Sequence, residues 1–385
     1  MNGALPDVSD SPMKPRVLVT GGAGYIGAHC CSALFDAGFM PVCYDNLSTG
    51  HADFVKWGPL VIGDIRDTGK VSQALADHNV VATIHLAASS LVGESVVEPE
   101  QYYSNNLAGS LSLLKAMRSA DCGRIVFSST GAVYGDAGSG GLSEKLPCSP
   151  VNPYGRSKLM VEQVLRDYRA AYGLSSFALR YFNASGARPN AGIGEKRSNE
   201  THLIPRAMSA LSGQLQDFAI FGDDYDTPDG TAVRDYIHVM DLADAHVRAL
   251  QLLLEGHPGA CCNLGTGHGY SLRQVLSAIS AVAGRDVPCT LRERRAGDPP
   301  FLVADASAAR EVLNFRASSS DLKTIVSTAW QWHIEQNGPV GTEEHAKNQW
   351  EASWTERQSE LIDGEKTPGS GMLPEPMDAN ASPTG

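Results

Sequence analysis

Short apolar runs alternate with amphipathic stretches along the first half of the chain. Runs at residues 16–20, 40–44, 80–86 and 124–127 have the length of buried strands, and apolar residues recur at helical spacing between them. Strands that alternate with helices pair in parallel, because each helix carries the chain back to the start of the next strand. The pattern therefore predicts an α/β fold built on a parallel sheet.

The first predicted strand leads directly into a glycine-rich turn, Gly21–Gly27, and a helical pattern follows. The second strand ends on Asp45, about twenty residues beyond the glycines. Glycines let the backbone approach a pyrophosphate at a helix N-terminus, and such a carboxylate bonds ribose hydroxyls and repels the 2′-phosphate of NADP. An incidental turn is the alternative, but strand, helix and acid all have the spacing of a dinucleotide site. The sequence therefore predicts a Rossmann-type, doubly wound sheet that binds NAD.

Changes in composition divide the chain into segments. Residues 184–236 are rich in Gly, Pro and Asp, which interrupts the alternation and predicts a smaller C-terminal lobe. Both ends of the chain are polar and contain proline, which is typical of loose segments. The predicted boundaries are a flexible arm at 1–14, a nucleotide-binding domain at 15–183 to which 235–264 return, the smaller lobe at 184–234 and 265–338, and a disordered tail at 339–385.

Charge and cysteine usage exclude several classes of protein. The net charge of −12 over 385 residues argues against a general binder of nucleic acid or anionic membranes. The eight cysteines form no C-x-x-C pair, so no metal site is predicted, and they are expected to be reduced in the cytoplasm. No apolar run is long enough to span a bilayer, and the first fourteen residues lack the apolar core of a signal peptide.

Polar and small residues stand where predicted strands end, which is the edge where α/β proteins bind ligands. The Asp64–Ile65 pair follows the third strand; its carboxylate suits an adenine amine, and capping of the next helix is an equally good interpretation. The small residues Ala87 and Ala88 follow the fourth strand and leave room for a ligand. The Asn105–Asn106 pair near the start of the next helical pattern is positioned to reach a cofactor.

Three residues further along indicate catalysis. Thr130 ends the fifth strand, and Tyr154 and Lys158 are four residues apart in a predicted helix, so both project from one face. A surface pair is the simpler interpretation of that spacing alone, but the dinucleotide unit upstream favours a catalytic tyrosine and lysine. The basic loop 292–299 has two interpretations, a solvated face or a site for a substrate diphosphate.

Together these segments resemble the extended short-chain dehydrogenase/reductase family, and within it the NAD-dependent UDP-hexose 4-epimerases. The resemblance covers Val17 to Ile334. It is carried by Gly21–Gly27, Tyr44–Leu47, Gly63–Arg66, Val92–Ser95, Phe127–Thr130, Asn152–Lys158, Leu179–Asn183 and Val233–Val239. It implies an enzyme with tightly held NAD, a UDP-sugar substrate and a homodimer built from helices near Tyr102–Ser119 and Tyr154–Tyr172. An apolar stripe predicted at Leu107, Leu111, Leu114 and Met117 is compatible with that interface.

The resemblance also implies roles for individual residues. Thr130 and Tyr154 would lie at the C4 hydroxyl of the sugar, and Lys158 would bond the nicotinamide ribose and lower the pKa of the tyrosine. Leu302 would meet the substituent at C2 of the sugar and disfavour N-acetyl groups. The residues implied for NAD are Gly21, Gly24, Tyr25, Ile26, Gly27, Asp45, Asn46, Asp64, Ile65, Ala87, Ala88, Ser90, Asn105, Tyr154, Lys158 and Phe182. Those implied for the UDP-sugar are Thr130, Asn183, Leu203, Phe221, Arg234, Arg295, Asp298 and Leu302.

The implied reaction interconverts UDP-glucose and UDP-galactose through transient oxidation at C4 and a 4-keto intermediate. Ser90 stands where many epimerases have a lysine, and Gly131–Ala132 stand where related dehydratases and decarboxylases have acids, which argues against elimination or decarboxylation. The alternatives are a sugar-nucleotide reductase, a UDP-pentose (xylose or arabinose) or UDP-hexuronate 4-epimerase, and a non-catalytic NAD-binding regulator. Intact Thr130, Tyr154 and Lys158 argue against the regulator.

Overall fold

The structure, a computed structural model, describes residues 14–136, 138, 140–295 and 298–338. Except for Lys14, the predicted arm and tail lie outside these residues. The strands are β1 (Arg16–Thr20), β2 (Met40–Asp45), β3 (Leu60–Ile62), β4 (Val80–His85), β5 (Arg124–Thr130), β6 (Ser175–Tyr181), β7 (Asn183–Ser185), β8 (Ala219–Phe221), β9 (Val233–Arg234), β10 (Tyr236–His238), β11 (Cys261–Leu264), β12 (Tyr270–Ser271), β13 (Thr290–Arg292) and β14 (Phe301–Leu302).

The helices are α1 (Tyr25–Asp36), α2 (Thr68–Asp77), α3 (Val92–Val97), α4 (Pro99–Tyr102), α5 (Gly109–Ser119), α6 (Pro153–Tyr172), α7 (Leu203–Leu211), α8 (Val239–Leu254), α9 (Leu272–Ala283), α10 (Ser307–Leu313) and α11 (Leu322–Asn337). A π-helical turn, Tyr103–Ala108, joins α4 to α5.

Seven parallel strands form the main sheet in the order β11-β6-β5-β4-β1-β2-β3. Helices α1 and α8 pack on one face of this sheet, and α2, α5 and α6 pack on the other. Burial on both faces explains the continuous apolar runs of the strands. The predicted Rossmann-type, doubly wound sheet is confirmed, and the order of strands reverses between β1 and β4, where such folds form a crevice.

The buried face of α5 differs from the predicted stripe. Leu113, Leu114 and Met117 are buried, whereas Leu111 is 39% exposed. All four of these residues lie within the regular turns of α5, where Leu111 is about 120° around the helix from Met117 and so stands at the margin of the buried face. The stripe is therefore buried at Leu114 and Met117 and exposed at Leu111 in the single chain.

Beyond β6 the chain forms three small sheets, β10-β7, β12-β9-β14 and β13-β8. Helices α7, α9 and α11 pack together around a core of their own, which includes Ile204, Val275 and Ile325. The chain returns to the main sheet through α8 and β11, whereas β10 pairs with β7 outside it. The described chain up to Asn337 belongs to one compact unit.

Two further features are the length and polarity of the helices and the state of the cysteines. In the part of the chain that the structure describes, every helix is too short or too polar to cross a membrane. All eight cysteines are free thiols, and five of them are buried.

Candidate active site

The glycine turn lies where the order of strands reverses. Gly21 has a left-handed backbone (φ +72°), and a Cβ atom on it would lie 2.7 Å from the amide nitrogen of Ala87. A Cβ on Gly27 would lie 2.0 Å from the carbonyl oxygen of Gly21. Both approaches are too close for a side chain, so the turn requires glycine at both positions. Gly24, the N-cap residue of α1, brings no side chain to the helix N-terminus, which leaves backbone N–H groups for a phosphate.

Asp45 lies at the end of β2, beside this turn. Its carboxylate accepts hydrogen bonds from the N–H groups of Ala23 (3.0 Å) and Leu47 (2.8 Å). Burial raises the pKa of Asp45, and the two backbone hydrogen bonds oppose that shift. The bond to Ala23 holds the carboxylate against the glycine turn, where an adenosine ribose is within reach.

Asp64 follows β3 and forms a bidentate ion pair with Arg66, with distances of 2.9 and 2.7 Å. The cap of α2 is Asp67, whose side chain accepts from the N–H of Lys70. The capping interpretation of Asp64 is therefore wrong, which leaves its carboxylate at the edge of the sheet. The side chain of Ile65 is buried against Gly109 of α5.

The π-helical turn places Asn106 at the carboxyl edge of the sheet. Its amide accepts from the N–H of Ser89 (2.8 Å) and donates to the Ser89 carbonyl (3.0 Å) and the Ser157 hydroxyl (3.0 Å). Ser157 donates to the carbonyl of Tyr154 at 2.8 Å, so Asn106 is tied to the helix that carries the tyrosine. The amide of Asn105 lies 3.4 Å from the Ser89 hydroxyl. The sequence placed both amides near the cofactor, and the structure makes Asn106 the more closely integrated of the two.

Thr130, Tyr154 and Lys158 lie together at the carboxyl end of β5. The hydroxyl of Thr130 faces the phenol of Tyr154 closely enough to lower the pKa of that phenol. The Nζ of Lys158 donates to the carbonyl oxygen of Ser128 at 2.8 Å and lies 4.9 Å from the centroid of the Phe127 ring. Lys158 is 3% exposed, so the simpler interpretation of a surface pair is wrong.

Burial has the largest effect on the pKa of both Lys158 and Tyr154. It lowers the pKa of Lys158 to about 7. It raises the pKa of Tyr154, while the hydrogen bond to Thr130 and the positive charge of Arg197 lower it. Among the described residues, the pKa of the tyrosine is thus lowered by Thr130 and Arg197, whereas the resemblance implied Lys158. A lysine with a pKa near 7 is only about half protonated at neutral pH, so its charge is weaker than that of an ordinary lysine.

A charged cluster near Tyr25 was not identified from the sequence. Glu195 accepts from Arg197 at 2.9 Å and pairs with His202 at 2.7 Å. Ligand atoms of Glu195, Glu200 and His202 all lie within 4.8 Å of one another, a spacing that suits a metal ion. However, Glu195 already has two cationic partners, and Glu200 accepts from two backbone N–H groups, which favours an ion-pair cluster. These residues lie in an irregular loop, where hydrophobic periodicity gives no signal.

Two of the residues implied for the UDP half, Phe221 and Arg234, lie in the small sheets, and two others, Arg295 and Asp298, lie between β13 and β14. The guanidinium of Arg234 donates to the carboxylate of Asp298 at 2.5 Å. The guanidinium carbon of Arg295 lies 3.8 Å from the centroid of the Phe221 ring. Four residues from three separate segments therefore form two contacting pairs, and they offer two cations, an acid and an aromatic face.

An apolar cluster connects the two halves of the site. Phe182 and Leu302 pack with Val133 and Tyr134, which follow Thr130 in the chain. Leu302 belongs to β14, which pairs with the strand that carries Arg234. The cluster thus joins the catalytic end of β5 to the sheet that holds the implied UDP ligands.

The remaining predicted residues have individual surroundings. The amide of Asn183 donates to the carbonyl of Asp235 at 3.0 Å, and Leu203 begins α7 and packs against its core. The hydroxyl of Tyr25 donates to the carbonyl of Gly186 at 2.6 Å, so that phenol is already engaged. The side chain of Asn46 accepts a hydrogen bond from the N–H of Ser48. Ile26 and Ala88 are half-buried, and Ser90 is exposed.

This arrangement fits a dinucleotide. The cradle at Gly21 and Gly27 would be filled by any Cβ, the N-terminus of α1 faces it, and Asp45 is held beside it. The chain matches the model of the NAD dependent epimerase/dehydratase family over residues 17–265, and it belongs to that family. The predicted family is confirmed, and so is NAD as its cofactor.

Individual relatives extend the similarity over most of the chain. UDP-glucose 4-epimerase of Rhizobium meliloti (strain 1021) is 50% identical over 322 residues, which are 84% of this chain and 98% of that protein. The structure of UDP-glucose 4-epimerase from Brucella ovis in complex with NAD has 51% identity and a TM-score of 0.81, covering 82% of this chain and 97% of that one. That of UDP-glucose-4-epimerase from Stenotrophomonas maltophila with bound NAD and formylated UDP-arabinopyranose has 40% identity and a TM-score of 0.81, covering 84% and 98%.

Proposed function

We propose that the protein interconverts UDP-glucose and UDP-galactose by oxidising and then reducing C4 of the sugar. The observation that carries this proposal is the placement of Thr130, Tyr154 and the buried Lys158 together at the edge of the sheet that also holds the glycine turn. Relatives that cover more than four fifths of the chain are named UDP-glucose 4-epimerase, which supports the same reaction.

We propose that the glycine turn and Asp45 hold the adenosine and pyrophosphate of NAD, with Lys158 at the nicotinamide ribose. NAD bound there would supply the acceptor for the C4 hydride and the source of the hydride that restores the alcohol. Asp45 accepts from both ribose hydroxyls, and its charge excludes a 2′-phosphate. Asn106 keeps the 89–90 segment and α6 in place around this end of the site.

Tyr154 is the proposed base for the C4 hydroxyl. A free phenol has a pKa of about 10 and is a weak base at neutral pH. Burial raises the pKa of Tyr154, so the opposing hydrogen bond from Thr130 and the charge of Arg197 are needed to favour the phenolate. Thr130 passes the proton between sugar and phenol over a short distance. Lys158 stabilises the phenolate of Tyr154 when its own ammonium group is protonated. A hydrogen bond to a ribose hydroxyl would favour that protonated state.

The smaller lobe, residues 184–234 and 265–338, is the proposed site for the UDP half. Arg234 and Arg295 would bind the diphosphate, and Phe221 would stack on the uracil. The 4-keto sugar must rotate within the site before the hydride returns to its other face. Binding energy is therefore best placed on the nucleotide, which stays fixed while the sugar moves.

Turnover of UDP-galactose tests this proposal. The purified protein, without added cofactor, is expected to form UDP-glucose, identified by NMR, with no net change in NADH absorbance. Extraction of the purified protein is expected to release about one NAD per subunit. Accumulation of NADH, or a requirement for continuous supply of NAD, would indicate a dehydrogenase instead.

UDP-pentoses are a second candidate class of substrate. The relative from Stenotrophomonas maltophila was solved with formylated UDP-arabinopyranose, which supports a pocket that accepts such rings. UDP-xylose in the same NMR assay distinguishes the two classes. If UDP-xylose turns over faster than UDP-galactose, the pentose activity is the main one.

A homodimer through α5 and α6 is also part of the proposal. Leu111 on α5 is 39% exposed, and Met160 and Tyr172 on α6 are 37% and 56% exposed, which supplies apolar surface. Light scattering at micromolar concentration should give twice the mass of one chain. Leu111→Glu with Met160→Glu should give monomers, whereas Leu291→Glu on β13 should leave the dimer intact. A monomeric mass for the unmodified protein would contradict this.

The free cysteines support the proposed cytoplasmic location, because buried thiols persist in reducing compartments. Fractionation of the source cells tests it. Recovery of the protein with secreted or periplasmic markers would contradict it.

A further inference from the structure

A row of buried polar side chains crosses the main sheet beside the catalytic residues, and the proposed mechanism does not use it. In the register of the sheet, Ser129 on β5 pairs with Arg180 on β6, and Arg180 pairs with Asn263 on β11. Glu162 approaches this row from α6. Each of the four residues is no more than 3% exposed, so their polar groups depend on one another.

Glu162 connects the catalytic helix to both strands. Its carboxylate accepts from the hydroxyl of Ser129 at 2.5 Å and from Nε and Nη2 of Arg180 at 2.9 and 2.6 Å. Ser129 directly precedes Thr130, and Glu162 follows Tyr154 by two steps of four residues, on the same face of α6. One carboxylate thus determines how the strand that carries Thr130 meets the helix that carries Tyr154.

The network also reaches the wall of the proposed sugar pocket. Nη1 of Arg180 donates to the hydroxyl of Tyr134 at 2.9 Å, and that hydroxyl donates to Oδ1 of Asn263 at 2.7 Å. Tyr134 packs in the same apolar cluster as Leu302. The polar network and this apolar cluster together connect the strand that carries Thr130 to Leu302, the residue expected to contact the sugar.

The energetics favour a geometric role over a stabilising one. Two charges lose their water on burial, so an interior ion pair is seldom more stable than apolar side chains of the same shape. A bidentate Arg–carboxylate pair does, however, fix angle as well as distance. Apolar packing alone would let α6 shift along β5, and a small misplacement of reacting groups slows a reaction severely.

We propose that the Glu162–Arg180 ion pair is a positioning element that sets the separation between Thr130 and Tyr154 and thereby the rate of proton transfer. The inference rests on the proposed roles of Thr130 and Tyr154 in the 4-epimerase reaction. Neither Glu162 nor Arg180 touches substrate or cofactor in this account.

Replacing the pair with apolar residues distinguishes a role of the ion pair in positioning from a role in stability. Glu162→Leu combined with Arg180→Met removes both charges of the pair and leaves only the Ser129 hydroxyl without its carboxylate partner, so a small decrease in the unfolding midpoint and an unchanged NAD content are expected. Its kcat for UDP-galactose is expected to fall about tenfold or more, because proton transfer depends on alignment. Its KM is expected to stay within about twofold, because the UDP contacts are untouched.

The titration of Tyr154 gives a readout that a purely structural role would leave unchanged. In protein labelled with 13Cζ-tyrosine, the signal of Tyr154 is assigned by its loss in Tyr154→Phe. Separation from Thr130 removes a hydrogen bond that lowers the pKa of Tyr154. The double variant is therefore expected to titrate at higher pH, and the acid limb of its kcat profile is expected to move in the same direction.

Asp241→Asn is the matched control. Asp241 is also a buried carboxylate with several partners, among them the Ser320 hydroxyl at 2.5 Å, but it lies at the start of α8. Its replacement is expected to lower the unfolding midpoint while kcat per NAD-containing subunit and the titration of Tyr154 stay unchanged.

A double variant with unmodified kcat and unmodified Tyr154 titration would overturn the inference. If that variant does not fold, Ser129→Ala decides, because it removes only the link to the strand: a loss of about threefold or more in kcat at constant KM supports the proposal, and a normal kcat overturns it. Failure of the underlying function looks different. In that case Tyr154→Phe would retain full turnover, whatever the double variant does.

Discussion

Replacing Lys158 with methionine should stabilise the cofactor-free protein at neutral pH while it abolishes turnover. Burial lowers the pKa of this lysine from 10.5 to about 7 in the folded protein. The unfolded chain keeps an ordinary lysine pKa near ~10.4, so between about 7 and ~10.4 the unfolded state holds a proton that the folded state has released. The folded protein therefore loses stability as the pH falls through this window.

The magnitude follows from the width of that window. Each pH unit corresponds to about 1.4 kcal/mol, so the lysine destabilises the folded state by about 4 kcal/mol at pH 7 and by less than about 1 kcal/mol at pH 10. Methionine loses the 2.8 Å bond from Nζ to Ser128, a contribution of about 1–2 kcal/mol. The net expectation is a gain of about 2 kcal/mol at pH 7 and a loss of about 1 kcal/mol at pH 10.

Urea unfolding of the cofactor-free protein at pH 7, 8.5 and 10, followed by circular dichroism, measures this difference. Lys145→Met, at an exposed lysine, is the control and should give a difference that does not change over this range. The reasoning is refuted if Lys158→Met is less stable than the unmodified protein at pH 7, or if its effect is the same at all three values. Either result would mean that the buried lysine keeps its proton.

Three further predictions concern the chemistry. Tyr154→Phe should lower kcat by about 10²–10⁴ while NAD content and UDP affinity remain, because only the proton acceptor is lost; initial rates near normal would remove Tyr154 from the mechanism. Cofactor extracted from the purified protein should be NAD because of Asp45, and a majority of NADP by chromatography would contradict that. Leu302→Cys should raise activity on UDP-N-acetylglucosamine relative to UDP-glucose about tenfold, since an acetamido group against leucine costs about 1–3 kcal/mol of overpacking; an unchanged ratio of rates would show that Leu302 is not the gate.

Local sequence signals predicted the parts of the site that depend on short-range physics. The apolar runs predicted the strands of the parallel sheet, and the turn from Gly21 to Gly27 predicted its phosphate end. Spacing of four residues placed Tyr154 and Lys158 on one helical face. Each of these inferences needs only neighbours within one or two elements, and steric limits on the backbone make them reliable.

Other features depended on contacts between distant segments. The π-helical turn before α5 contains Asn106 and places it in the site, and no periodic pattern predicts such a turn. The ion-pair cluster around Glu195 lies in an irregular loop. Arg197 was not singled out from the sequence, although its charge acts on the proposed base.

Local physics was enough to predict the order of strands and helices, the glycine turn, the acid after β2 and the chemical identity of the proposed catalytic residues, because backbone sterics and hydrophobic periodicity act between neighbours in the chain. The folded chain was needed to establish how much charge Lys158 carries, which partner lowers the pKa of Tyr154, and how Glu162 meets Ser129 and Arg180. Those properties arise from burial and from hydrogen bonds between segments far apart in the chain, where the loss of water makes each charge depend on all of its neighbours.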